Sequence, residues 1–106
     1  KNSETERVDY VGHCWFFKTE WIHYMWKENP PTYDNGEDIH FCASCKIHGG
    51  IDSYLPSQTQ DNPDAWGDTK SVLGIDQHAT WRKSDHNKLR DELYRYWIDK
   101  GWETIE

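Results

Sequence analysis

The sequence is poor in the features that mark several large classes of protein. Only one Met, three Cys and four Pro occur among 106 residues, and the hydrophobic set makes up 35%. No apolar run approaches the length that spans a bilayer, and no secretory signal is visible at the N-terminus. The net charge of −7 disfavours a nucleic-acid backbone as the main partner. The odd number of Cys favours reduced thiols in a cytoplasmic protein over a disulfide framework.

Aromatic residues, in contrast, are abundant. The seven Trp, six Tyr and three Phe argue against disorder throughout the chain. A chain of this length can bury one modest core, so we expect a single domain over 1–106. Within it, we expect residues 1–7 to fray and 57–74 to form a long polar loop.

The order of the patterned segments predicts a mixed α/β fold, with a small sheet and two to three packed helices. The predicted elements are a strand over 8–17, a helix over 18–26, a helix opening at Glu37-Asp38 and ending at Gly49-Gly50, a strand over 51–55 and a helix over 84–100. Ser84 is the expected N-cap of the last helix, and Gly49 and Gly50 supply the left-handed stop of the middle one.

The acidic pair Glu37-Asp38 stands at the start of the middle helix, just after Gly36. The small and apolar residues that follow recur at helical spacing: Ile39, Cys42, Ala43 and Ile47. A helix N-terminus offers free N–H groups and a positive dipole end, which orient a carboxylate and keep it ionised. The pair is therefore a candidate functional site. The alternative is the general preference of acidic residues for first helical turns, worth about 0.3–1 kcal/mol each.

Several short motifs follow one another in a defined order along the chain. They are Gly12-His13-Cys14-Trp15-Phe16-Phe17, Gly36-Glu37-Asp38, Gly49-Gly50-Ile51 and Tyr54-Leu55-Pro56. Together they resemble the C-terminal half of a family 2-type glycosyltransferase with the GT-A fold, over residues 8–80.

This resemblance implies transfer of a sugar from a nucleotide-sugar donor to an acceptor hydroxyl. It implies that Asp38 is the base and that Glu37 orients the acceptor, with a divalent metal, Mn or Mg, in the full enzyme. The family's donor-binding half, with its Asp-x-Asp metal motif, would precede this segment. No Asp-x-Asp occurs here, so the resemblance implies an acceptor-side piece that is inactive without a partner domain supplying the donor-binding half.

Four residues are candidates for binding the saccharide: His13, Trp15, Asp34 and Trp66. Trp66 is the strongest aromatic candidate, because it lies in a polar loop with Ala65 as its only apolar neighbour. Trp81 offers a further ring that could stack on a pyranose. The alternative for any Trp in so small a domain is core packing, which we assign to Trp97 and Trp102.

A zinc site is the main alternative on the metal side. Cys42 and Cys45 form a CxxC and His48 follows, with Cys14 or His13 as a possible fourth ligand. Buried, reduced cysteines explain the same pattern. The resemblance also makes His78 the nearest candidate for a late metal-binding histidine. Besides these, a non-catalytic module that binds a saccharide or a protein stays open.

Overall fold

The computed structural model describes residues 4–12, 14–57 and 85–105. In chain order, the elements are β1 (Glu6–Val8), a 3-10 helix (Thr19–Trp26), α1 (Glu37–Gly49), β2 (Ser53–Leu55) and α2 (His86–Asp99). In these ranges the fold is a mixed α/β arrangement, with one two-stranded antiparallel sheet and three helices, as predicted. No helix among the described residues is long and apolar enough to cross a membrane.

Helix α1 is the buried centre of the fold, and both its ends are set by glycine. Gly36 precedes the first turn at φ +81°, and Gly50 follows the last turn at φ +65°. The N–H of Gly50 donates to Lys46 (3.0 Å) and that of Ile51 donates to Cys45 (3.1 Å), which satisfies the last carbonyls. The predicted helix is confirmed, and its left-handed stop is Gly50 rather than Gly49.

Helix α2 packs against α1 and completes the apolar core. Leu93 and Trp97 are fully buried, and Trp102, just beyond the helix, is 3% exposed. They pack with Ile39 and Ala43 of α1. Burying a side chain as large as Leu contributes about 1.5–3 kcal/mol, so this contact supplies much of the domain's cohesion. The assignment of Trp97 and Trp102 to packing is confirmed.

The 3-10 helix joins α1 through polar contacts at its own C-terminal end. Ser44 Oγ donates to the carbonyl of Tyr24 (2.6 Å), and His40 Nε2 donates to the carbonyl of Met25 (3.1 Å). Trp97 Nε1 donates to the other ring nitrogen of His40 (3.3 Å). His40 is therefore a neutral imidazole protonated at Nε2, and its burial lowers its pKa.

Glu28 ties the segment after the 3-10 helix to the ends of both α-helices. Its carboxylate accepts hydrogen bonds from Lys100 (2.8 Å), the hydroxyl of Tyr96 (2.5 Å) and His48 Nε2 (2.5 Å). Burial acts to raise the pKa of Glu28, but these hydrogen bonds outweigh it and bring the pKa down to about 2.

The predicted strand over 8–17 is wrong except at Val8. Strand β1 lies earlier, pairing Glu6 with Leu55 and Val8 with Ser53 of β2, so the expected fraying of residues 1–7 is wrong at its last two positions. Beyond β1, the N–H of Cys14 donates to Gly12 (2.5 Å), a tight turn that interrupts extended backbone. Of the aromatic residues that suggested a strand, Trp15 and Phe17 contact the ring of Phe41, whereas Phe16 is exposed.

The remaining helices agree with the sequence apart from small shifts. The helix predicted over 18–26 is present as Thr19–Trp26, in 3-10 form. The helix predicted over 84–100 is present as His86–Asp99, with Asp85 at its N-cap. The proposed cap Ser84 and all but the first residue of the predicted 57–74 loop lie outside the described residues.

Candidate functional site

Asp38 lies in the first turn of α1, as expected, and its carboxylate is fixed by α2. Arg90 donates from Nη1 to Oδ1 and from Nη2 to Oδ2, both at 3.1 Å. The N–H of Ile39 also donates to Oδ1 (2.8 Å). The side chains of Asp38 and Arg90 are 11% and 21% exposed, so this two-pronged ion pair is largely withdrawn from water.

Three further side chains surround the guanidinium. Arg90 Nη1 donates to Asn35 Oδ1 (3.3 Å), and Asn35 Nδ2 donates to His86 Nδ1 (2.8 Å). The Tyr10 ring centre lies 5.6 Å from the guanidinium carbon. Burial acts to lower the pKa of Arg90, but its hydrogen bonds to Asp38 and Tyr10 raise the pKa overall. Arg90 therefore stays cationic and holds the carboxylate in one orientation.

One side of the Asp38 carboxylate faces a glycine. A Cβ placed on Gly12 would lie 3.5 Å from Asp38 Oδ2, so only hydrogen separates that backbone from the carboxylate. Oδ1 accepts two hydrogen bonds, whereas Oδ2 accepts only from Arg90 among the described residues. Because a carboxylate oxygen has two lone pairs, Oδ2 can accept one more hydrogen bond. Glu37, the preceding residue, is exposed.

A groove of about 870 Å³ borders this cluster. The residues that line it come from the end of β1 and beyond, from α1 and from α2: Val8, Asp9, Tyr10, Ile39, Asn87, Arg90, Asp91 and Tyr94. Arg90 belongs to both the groove and the ion pair, so the groove reaches the residue that orients Asp38. Charged and amide side chains make up half of these lining residues, so the groove suits a polar organic ligand.

The predicted saccharide-binding residues lie apart from this groove or outside the described part of the chain. Trp15 is half-buried and stacks on Phe41, with ring centres 5.6 Å apart. Asp34 is exposed, and its N–H donates to Thr32 Oγ1 (3.1 Å). Neither is among the residues that line the groove. The other predicted residues lie outside the described ranges: His13, Trp66, His78 and Trp81.

The cysteines predicted as alternative zinc ligands are buried thiols. Burial raises the pKa of Cys42. Burial, and to a smaller extent the charge of nearby Cys42, raises the pKa of Cys45 to about 11. His48 is engaged with Glu28 (2.5 Å). Within the described residues, no group of three or more His, Cys, Asp or Glu is placed to hold a metal ion.

Sequence reasoning missed the α2 contribution to the site, although one signal was available. Arg90 is three and seven residues before Leu93 and Trp97, so helical periodicity places it on the apolar face of α2. A cation on a buried face needs an anionic partner, which here is Asp38. Asn35 and Tyr10 carry no comparable signal, because only the tertiary fold brings them to Arg90.

Comparison with known proteins adds no relative. No protein-family model matches the chain, and no curated protein or solved structure matches it. The resemblance to a family 2-type glycosyltransferase therefore stays a hypothesis that the motifs carry, to be weighed with the geometry around Asp38.

Proposed function

We propose that this chain is the acceptor-side segment of a sugar transferase, which moves a sugar from a nucleotide-sugar donor to an acceptor hydroxyl. The observation that carries the proposal is the Asp38 carboxylate. It is oriented by Arg90 at the start of α1, with Oδ2 near Gly12. Arg90 lines the groove, whereas Asp38 is not among the lining residues. In the reaction, the acceptor oxygen bonds to the anomeric carbon while the bond to the leaving diphosphate breaks. The hydroxyl proton passes to Asp38.

Oδ2 is the atom best suited to receive that proton. A Cβ on Gly12 would lie 3.5 Å from Oδ2, and the proposal is that the acceptor hydroxyl approaches Oδ2 on this side, where glycine carries no side chain. Arg90 holds the carboxylate in place by two charge-assisted hydrogen bonds. Glu37 is exposed one residue earlier, which suits the proposed role of orienting the acceptor.

The donor-binding half is proposed to come from a partner domain. A divalent metal would help the diphosphate to leave, but the described residues hold no cluster of metal-ligand type, so metal binding is assigned to none of them. Large apolar side chains are exposed along 16–26, with Phe16 96%, Ile22 42% and Trp26 73% accessible. We assign this aromatic segment to the contact with the partner domain. The free thiols support the cytoplasmic location that we propose.

The test is a sugar-transfer assay on the enzyme that combines this segment with its donor-binding half. Asp38→Asn is expected to lower transfer by about 10²–10⁴-fold. Because the amide no longer pairs with the charge of Arg90, urea unfolding of the variant checks that it is still folded. Asp99→Asn, at the exposed end of α2, is the matched control and should leave transfer unchanged. Full activity in Asp38→Asn would refute the proposal.

A second candidate is a non-catalytic module that binds a protein through the aromatic segment 16–26. The exposure of Phe16 and Trp26 favours it. A pull-down separates the two functions. The binding module is supported if a protein partner still binds the Asp38→Asn variant but not the Phe16→Ser variant, and if the wild type transfers no sugar. The predicted alternative contact, Trp66, lies outside the described residues.

A further inference from the structure

The groove beside Asp38 has two kinds of lining that a saccharide uses. Asp9, Asn87 and Asp91 present carboxylate and amide groups, which hydrogen-bond neighbouring hydroxyls. Tyr10 and Tyr94 present rings, whose apolar faces suit the C–H surface of a sugar. The groove therefore combines a few directional polar groups with apolar surface, as sites for small ligands do.

The unpaired charges of the described groove lining are negative. Among the lining residues that the structure describes, Arg90 is the only cation, and Asp38 already neutralises it in the two-pronged ion pair. The other charged lining residues are Asp9 and Asp91, both anionic. Asp9 Oδ1 accepts the N–H of Ile105 (2.7 Å), a neutral donor that leaves the negative charge in place. Within the described residues, Asp91 enters no ion pair.

We propose that the groove binds the acceptor and selects a saccharide without negative charge, with an added preference for one that carries a free amine. This inference rests on the proposed function, because it names the acceptor class of the same site. An acidic sugar would place its carboxylate against Asp9 and Asp91, and no described lining residue offers a free cation to receive it. An ammonium group would instead find two carboxylates, and hydroxyls would find acceptors in either case.

The test compares three oligosaccharides of equal length: the glucosamine, N-acetylglucosamine and galacturonic acid tetramers. Binding to the chain is followed by tryptophan fluorescence, to which Trp102 reports because it contacts Tyr94 at a 5.0 Å ring separation. At a pH that protonates the amine, the expected order is glucosamine, then N-acetylglucosamine, then galacturonic acid, each step about tenfold or 1.4 kcal/mol.

Two variants locate this selectivity in the groove rather than in the net charge of −7. Asp91→Asn is expected to remove most of the amine preference and to keep binding of the neutral tetramer. Glu92→Gln, the exposed neighbour that does not line the groove, removes the same charge and should leave the order unchanged. Equal binding of the acidic and neutral tetramers, no binding of any tetramer, or the same effect from both variants would overturn the inference.

The outcome is separable from that of the proposed function. If the enzyme transfers sugar to an acidic acceptor, and this transfer depends on Asp38, the proposed selectivity is overturned but the transferase function stands. Selective binding of the tetramers by an assembled enzyme that transfers no sugar would support the groove and overturn the transferase function.

Discussion

Gly36, the residue just before the acidic pair, is the most tightly constrained glycine of α1. Its φ is +81°, and a Cβ added there would lie 2.4 Å from Leu93 Cδ2. Leu93 is fully buried, so it cannot move aside into solvent. Gly36→Ala is expected to lose about 1–2 kcal/mol to the left-handed backbone and about 1–3 kcal/mol to overpacking. The expected total is about 2–5 kcal/mol.

Gly50 provides the matched control at the other end of the helix. Its φ is +65°, and nothing lies within 4 Å of an added Cβ, so Gly50→Ala should show only the backbone cost of about 1–2 kcal/mol. Urea unfolding followed by tryptophan fluorescence gives both free energies of unfolding.

A double mutant separates the steric part of the Gly36 effect. In a Leu93→Ala background, the methyl of Gly36→Ala has room in the cavity. The double mutant should therefore lose less stability than the sum of the two single-mutant losses. A Gly36→Ala loss no larger than that of Gly50→Ala, or strict additivity with Leu93→Ala, would refute the packing of α2 on the start of α1.

The remaining predictions concern the far end of α1, the ion pair and the response to pH. Gly49→Val should cost about 1 kcal/mol or more, because a Cβ there lies 2.7 Å from the Tyr24 ring; an unchanged urea midpoint would contradict this contact. Arg90→Gln should cost about 3 kcal/mol by leaving a buried carboxylate unpaired, and the free energy of unfolding measures it; a loss within experimental error would contradict the ion pair. The contribution of neutral His40 to stability should be complete above pH 6.5 and fall below it, because burial lowers the pKa of folded His40 while the unfolded chain takes up the proton. A second loss should follow between pH 4.5 and about 2, as Glu28 is protonated; a urea midpoint that stays constant across both ranges would contradict these assignments.

The helices could be predicted from sequence because their signals are local. Gly36 and Gly50 mark the ends of α1, and the spacing of Leu93 and Trp97 marks the buried face of α2. Local sequence could not decide whether residues 8–17 form a strand, since aromatic and β-branched residues indicate burial as much as extended structure. The ring of Phe17 packs edge-on against Phe41 of α1, with ring centres 4.8 Å apart, instead of joining a sheet.

Only part of the site could be predicted from the sequence. The acidic pair is adjacent in the chain and follows a glycine, so its position at a helix start could be predicted. Its partner Arg90 is 52 residues away, and its approach depends on how α2 packs against α1. The groove is likewise a product of tertiary packing. Its two acidic side chains among the described residues, Asp9 just after β1 and Asp91 in α2, come from opposite ends of the chain.

The central claim is that Asp38 takes the proton while Glu37 orients the acceptor. Steady-state transfer kinetics of the assembled enzyme, with acceptor varied, separate these roles. Asp38→Asn should lower kcat by about 10²–10⁴-fold with little change in the acceptor KM, whereas Glu37→Gln should raise that KM and keep most of kcat. Retention of kcat in Asp38→Asn, or a larger loss of kcat in Glu37→Gln, would contradict the account.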